Sequence, residues 1–181
     1  MPSRREQILA VAAQLFAKHG YHGVSIADLG AAVGISGPAL YRHFPGKEAL
    51  LEEMLVGISE HLLQGGQTLA AEIADPQELL RELVAFQTNF ATREPELIVV
   101  QDRDLANLAS GARAKVRKLQ RTYVEIWVDA LRATRPDLDD TQRRVVAHGT
   151  FGLLNSTPHA GRGRDAAAIL RRMALAALAP A

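Results

Sequence analysis

Apolar positions recur at steps of three and four through nearly the whole chain, and no stretch alternates at a step of two. The first pattern marks one face of an α-helix and the second a strand, so an all-α protein is predicted, with about nine helices. Ile8, Ala12, Leu15 and Phe16 share a face of a first helix over residues 3–19, which Gly20 ends. Ser25 caps a second helix carrying Ile26, Leu29, Ala32 and Val33, and Gly34 stops it. Ser36 caps a third, from Gly37 to about Phe44, with Pro38 in the first turn, where a missing N–H costs nothing. Leu40 and Phe44 face inward there, while Tyr41, Arg42 and His43 face out, and Pro45-Gly46 closes the run.

A long fourth helix opens at Lys47, with Leu50, Leu51, Met54, Leu55, Ile58 and Leu62 as its stripe. Gly65-Gly66 interrupts it; each glycine is unfavourable by roughly 1 kcal/mol against alanine, which predicts a kink, a break or a close helix contact. Further helices are expected over 77–92, from Pro95 onward, over 112–134, from Asp139 or Asp140 to about Ser156, and over 165–178. In the eighth, Val146, Gly149, Leu153 and Ser156 lie on one side, and Ala147, Phe151 and Leu154 on another. A helix apolar on two sides is buried on two sides. The last two helices therefore suggest a partner surface.

Length and charge narrow the class. The chain has 181 residues, enough for one or two domains with a sizeable core. It contains no cysteine, which excludes a disulfide framework, thiol catalysis and Cys-ligated zinc. No apolar run approaches the ~20 residues of a membrane span, and MPSRREQIL carries no signal-peptide core, so a cytoplasmic protein is expected. The formal net charge is +1, unevenly spread: residues 1–47 hold Arg4, Arg5, Lys18, Arg42 and Lys47 against Glu6 and Asp28, a net of +3. A basic end on a balanced chain suits a module that meets phosphates.

Two short helices around a glycine turn make a helix-turn-helix, whose second helix enters the DNA major groove. The outward side of this one carries Tyr41, Arg42, His43 and Lys47, with no acidic residue between Asp28 and Lys47. Arg4 and Arg5, at the chain end, are placed either as a basic arm on DNA or in solvent. His19 and His22 read as turn histidines, since no carboxylate or cysteine nearby completes a metal set. Residues Ala12, Phe16, Gly20, Gly23, Ser25, Ile26, Leu29, Val33, Gly34, Ser36, Leu40, Tyr41, His43, Phe44, Lys47, Leu50 and Leu51 together resemble the DNA-binding domain of the TetR/AcrR family of bacterial transcriptional regulators.

That resemblance implies a helix-turn-helix domain over 1–47 and a helical effector-binding and dimerisation domain over 48–181. It also implies a homodimer through the last two helices on a palindromic double-stranded operator, released by a small hydrophobic effector. Ser25, Ser36, the Gly37 N–H, Tyr41 and Lys47 are expected to contact phosphates. Pro38, Ala39 and Arg42 are expected to face bases, with His43 supporting the backbone contact. Ala27 stands where many relatives have a polar residue, and Gly30 replaces a frequent alanine, which should weaken the second helix slightly.

For the effector, Gln87, Gln101 and Gln120 fall on apolar helix faces, and buried polar groups need partners. With Phe86, Phe90, Tyr123 and Trp127 they make the candidate pocket, mostly apolar with a few placed polar groups. The run IVVQDRDLANL, the helix RKLQRTYVEIWVDAL and HGTFGLLNSTPH are similar to actinobacterial members that govern fatty-acid and sterol catabolism and bind acyl-CoA thioesters. On that likeness, Arg162 and Arg164 beside His159 are placed to meet head-group phosphates. No cofactor or metal is expected. No HExxH, GxSxG or GKS/T signature occurs, and Gly30, Gly34 and Gly37 follow a helix and are not spaced as a dinucleotide fingerprint, so an enzyme is excluded. The competing reading is a helical protein-interaction module without DNA binding.

Overall fold

The structure is a computed structural model that describes residues 3–160 and 164–179. Among the described residues there are nine α-helices and no strand: α1 (Arg4–His19), α2 (Ile26–Val33), α3 (Gly37–Leu40), α4 (Lys47–Glu72), α5 (Pro76–Arg93), α6 (Pro95–Asp104), α7 (Ser110–Thr134), α8 (Asp140–Leu154) and α9 (Arg164–Leu178). A 3-10 turn, Leu105–Asn107, follows α6. No helix among them is long and apolar enough to cross a membrane.

Local chemistry accounts for most of the helix ends. Ser3 and Ser25 each make a reciprocal capping box, with Glu6 and Asp28 respectively. Gly20 and Gly34 close α1 and α2 at positive φ, where a side chain would be strained. Helix α3 is shorter than the periodicity suggested. After Leu40 the chain tightens, with Arg42 N–H on Ala39 O at 3.2 Å and His43 N–H on Leu40 O at 2.9 Å. Pro45 gives the reason: it disfavours helical backbone at Phe44, and the last turn narrows to meet it.

The chain forms two compact units. The first comprises Met1–Ile58 and Glu96–Val116, and so holds α6 and the start of α7 as well as the helix-turn-helix. Its core is one cluster in which Ile8, Phe16, Leu29, Leu40, Phe44, Leu50 and Leu55 have no exposure and Val100 and Val116 join them. Fully burying side chains of this size is worth about 1.5–3 kcal/mol each.

The second unit comprises Ser59–Pro95 and Arg117–Ala181 and is built around Leu83, Trp127, Leu131, Leu154 and Ala174. Helix α4 runs unbroken through Gly65-Gly66. A Cβ on Gly65 would run into the Phe86 ring, and one on Gly66 would fall 2.6 Å from Tyr123. Of the three expectations for that pair, close helix contact is the one realised. The α7–α8 corner is ionic: Asp140 accepts from Arg132 and Arg143, and those guanidinium groups hold its carboxyl down at about 2.

Candidate functional site

The candidate nucleic-acid face is assembled from both sides of the α2–α3 turn. Ser25 Oγ accepts the Asp28 N–H at 3.1 Å and donates to its carboxylate at 2.6 Å. The hydroxyl and N–H of Ser25 hold the Asp28 carboxyl below its usual range. Ser36 Oγ accepts the Ala39 N–H at 3.3 Å, which starts α3. Ser25, Ser36, Pro38, Tyr41 and Arg42 are exposed, while Gly37, Ala39, His43 and Lys47 are half-buried. The Tyr41 ring is 55% exposed, and among the described residues neither its hydroxyl nor the Arg42 guanidinium has an intramolecular partner. A large aromatic and a cation presented side by side without internal work are groups free to meet a ligand.

Behind that face the basic residues are tied down. Lys47 Nζ donates to the carbonyls of Tyr21 at 2.7 Å and Val24 at 2.9 Å, and lies 4.5 Å from the Tyr21 ring centre. Arg5 pairs with Glu53, donates to His43 O at 2.5 Å and sits 4.1 Å over the Phe44 ring. Arg4 donates to Val33 O at 2.7 Å and to Gln7 at 2.9 Å. Both arginines are therefore braces of the three-helix core, one on each short helix end, rather than a loose arm. Gly30 also departs from expectation: a Cβ there would lie 2.8 Å from Ile35 O, so the glycine admits the backbone of the turn.

A polar cluster within the run IVVQDRDLANL fastens this module to α6. Arg103 donates to the carbonyls of Phe16 and Ala17, capping the end of α1, and pairs with Asp104 at 3.0 Å. Asp104 is buried and accepts the Tyr21 N–H at 3.5 Å, while Asn107 bonds His22 Nε2 at 2.9 Å. Asp-Arg-Asp-x-x-Asn reads as an ordinary solvated helix end; only the fold brings α1 against it.

The second unit gathers some of the candidate effector residues. Gln87 is 2% exposed; its amide donates to Asn155 Oδ1 at 2.9 Å and accepts from the Tyr123 hydroxyl at 3.2 Å. Burial pushes the Tyr123 phenol above its ordinary range. Tyr123, Trp127 and Phe151 form an aromatic cluster with ring centres 4.7–6.3 Å apart. Phe86 packs on α4, its ring 5.7 Å from His61. Phe90 is buried and Gln120 half-buried, outside the hydrogen bonds and ring contacts described. Gln101 is half-buried on α6 and belongs to the first unit. Asn155 and Phe151 were not among the candidates; an amide just past a helix end was the available signal. Arg162 and the Arg164 side chain lie outside the described residues.

Comparison with known proteins agrees over both units. Residues 8–54 match the family described as bacterial regulatory proteins, tetR family, and residues 74–159 match a tetracyclin repressor-like C-terminal domain. The HTH-type transcriptional repressor KstR2 of Mycobacterium tuberculosis strain H37Rv is 31% identical over 160 residues, covering 82% of this chain and 78% of its own. Among solved structures, the TetR family regulator PfmR of Thermus thermophilus superposes with a TM-score of 0.84 at 27% identity, over 98% of this chain and 97% of that one. AibR, solved with isovaleryl coenzyme A and operator DNA, shares the fold with a TM-score of 0.77 at 23% identity, over 94% and 97% of the two chains.

Proposed function

The chain belongs to the tetR family of bacterial regulatory proteins, and from that membership we propose that it is a homodimeric repressor, released from a palindromic operator by a small hydrophobic effector. The family is one of DNA-binding regulators and not of enzymes. Its place of action is then the cytoplasm, where operator DNA lies. Residues 1–47 read the DNA; residues 48–181 bind the effector and the second copy.

The observation that carries this reading is the unpartnered pair Tyr41 and Arg42, held out from a core that braces Arg4, Arg5 and Lys47. Arg42 takes a guanine edge as a bidentate donor, with Pro38 and Ala39 packed on neighbouring bases. Tyr41, Ser25, Ser36 and the Gly37 N–H hold phosphates, which set register. Lys47 adds a phosphate contact through its third N–H, two being engaged by carbonyls, and His43 supports it.

In the second copy's direction, Val145 (67% exposed) shares a helix face with Gly149 and Gly152, where an added Cβ would meet open space. Ile169 and Met173 are exposed in the same way on α9. Glycines with no packing reason inside the chain, beside exposed apolar side chains, suit close approach of a second α8–α9 pair. The effector contacts Phe86, Gln87, Phe90, Gln120, Tyr123 and Trp127, all of the second unit. KstR2's name as a repressor supports repression, and AibR's complex with isovaleryl coenzyme A supports a greasy molecule with a carbonyl linkage. Its entry moves α4, which contributes residues to both units, and a coupling of about 1–3 kcal/mol is enough to switch occupancy.

The test is anisotropy titration of duplexes from the DNA flanking the protein's own coding region. Wild-type affinity should fall steeply with salt. Tyr41→Ala should weaken all sequences alike, and Arg42→Ala should cost about 1–3 kcal/mol at one base position. Wild-type protein that ignores every duplex at low salt would leave only the interaction-module reading.

A further inference from the structure

We propose that the indole N–H of Trp127 anchors the effector, and that the effector is therefore an apolar molecule with a neutral carbonyl oxygen, a ketone, ester or thioester, rather than a carboxylate. This rests on the effector reading above and sharpens it.

Trp127 has no exposed surface, and among the described residues its Nε1 is the buried side-chain polar atom without a hydrogen-bond partner. Such an orphan costs about 1–3 kcal/mol, so proteins rarely keep one without a use. The other buried polar side chains of this unit are matched. Thr88, Thr150 and Thr157 donate to the carbonyls of Val84, Val146 and Ala91. Gln87 is taken up by Asn155 and Tyr123. The Tyr123 hydroxyl donates to Gln87 Oε1 and makes no hydrogen bond with the indole.

The chemistry of the missing partner follows from what is left over. A single unused donor wants an acceptor. A hydroxyl would bring a proton of its own, which would have to become a second bond on Gln87 Oε1 or Asn155 Oδ1, each of which already accepts one. A carboxylate would leave water for one neutral N–H among rings, against several kcal/mol of desolvation. The buried arginines of this unit are committed elsewhere, Arg135 to Asp137 and Ala179 O, Arg143 to Asp140 and Arg135 O. A carbonyl oxygen accepts, carries no charge and adds no donor. Phe151, half-buried and 4.7 Å from the Trp127 ring, is the least buried ring of this aromatic cluster.

Trp127 is the single tryptophan of the chain, so its indole gives one N–H resonance. The full-length protein is titrated with 2-nonanone, nonane and nonanoate, followed by ¹H–¹⁵N NMR and calorimetry, alongside Trp127→Phe. The ketone should shift the indole proton downfield and bind about tenfold tighter than either analogue, the ratio expected of one hydrogen bond. Trp127→Phe should abolish that advantage while still binding nonane. A static indole resonance, an equal affinity for nonanoate, or a ketone preference that survives Trp127→Phe each overturn the proposal. If none of the three probes binds, the hydrophobic-effector reading itself falls. Should Trp127→Phe not fold, the resonance shift and the three wild-type affinities decide alone.

Discussion

Lys47 looks from its position in the chain like one more surface cation near DNA, yet its ammonium joins the Tyr21 and Val24 carbonyls and faces the Tyr21 ring. Hydrogen bonds from a charged donor are worth about 1.5–3 kcal/mol, less where half-exposed. Lys47→Met should therefore lower stability to urea by about 1–3 kcal/mol, while Arg42→Ala stays within about 0.5 kcal/mol of wild type. If the two variants unfold at the same urea concentration, Lys47 has no bracing role. DNA titrations should accordingly use Tyr41 and Arg42, whose loss leaves no carbonyl unpaired. Sequence reading placed all three positions on one outward side but had no means of separating brace from reader. Outward periodicity is local; the carbonyls that hold Lys47 lie 26 and 23 residues away.

At the scale of the helix, the glycine pair in α4 shows propensity overruled by packing. Alanine in place of Gly66 would gain about 1 kcal/mol of helix propensity. Its Cβ would, however, stand 2.6 Å from the buried Tyr123 ring and 3.2 Å from Ile126. Overpacking of that kind costs about 1–3 kcal/mol, so Gly66→Ala should lower the melting temperature and disturb the Tyr123–Gln87 bond. A raised melting temperature would mean that α4 and α7 are free to separate there. Helix α6 teaches the same lesson in polar terms. Arg103 reaches Phe16 O, to which the Gly20 N–H also donates, and Ala17 O, so a side chain from α6 supplements the last turn of α1.

For the whole molecule, the proposed function depends on copies. One short reading helix makes few contacts, and two half-sites one duplex turn apart, about 34–36 Å, need two chains held together. Val145→Glu combined with Met173→Glu places charge on both exposed apolar faces, at 67% and 50% exposure. Sedimentation should then report monomer, and operator affinity should fall by roughly 10²–10⁴, the range that linkage of two weak sites supplies. An unchanged sedimentation coefficient would put the dimer on some other surface.

The number of helices, most of their ends and the outward placement of Tyr41 and Arg42 were determined by the amino-acid sequence alone. Caps, turn glycines and apolar spacing act over a few residues, where neighbours in the chain are neighbours in space. The shortening of α3 is the partial exception, and even that has a local cause in Pro45. What the tertiary structure decided is which polar side chain is buried and what answers it. Gln87, Gln101 and Gln120 look alike along their helices, yet only Gln87 is fully enclosed, because Tyr123 and Asn155 reach it from 36 and 68 residues away. Satisfaction of a buried polar group depends on atoms distant in the chain, and Trp127, left without such an atom, is visible only once the fold is complete.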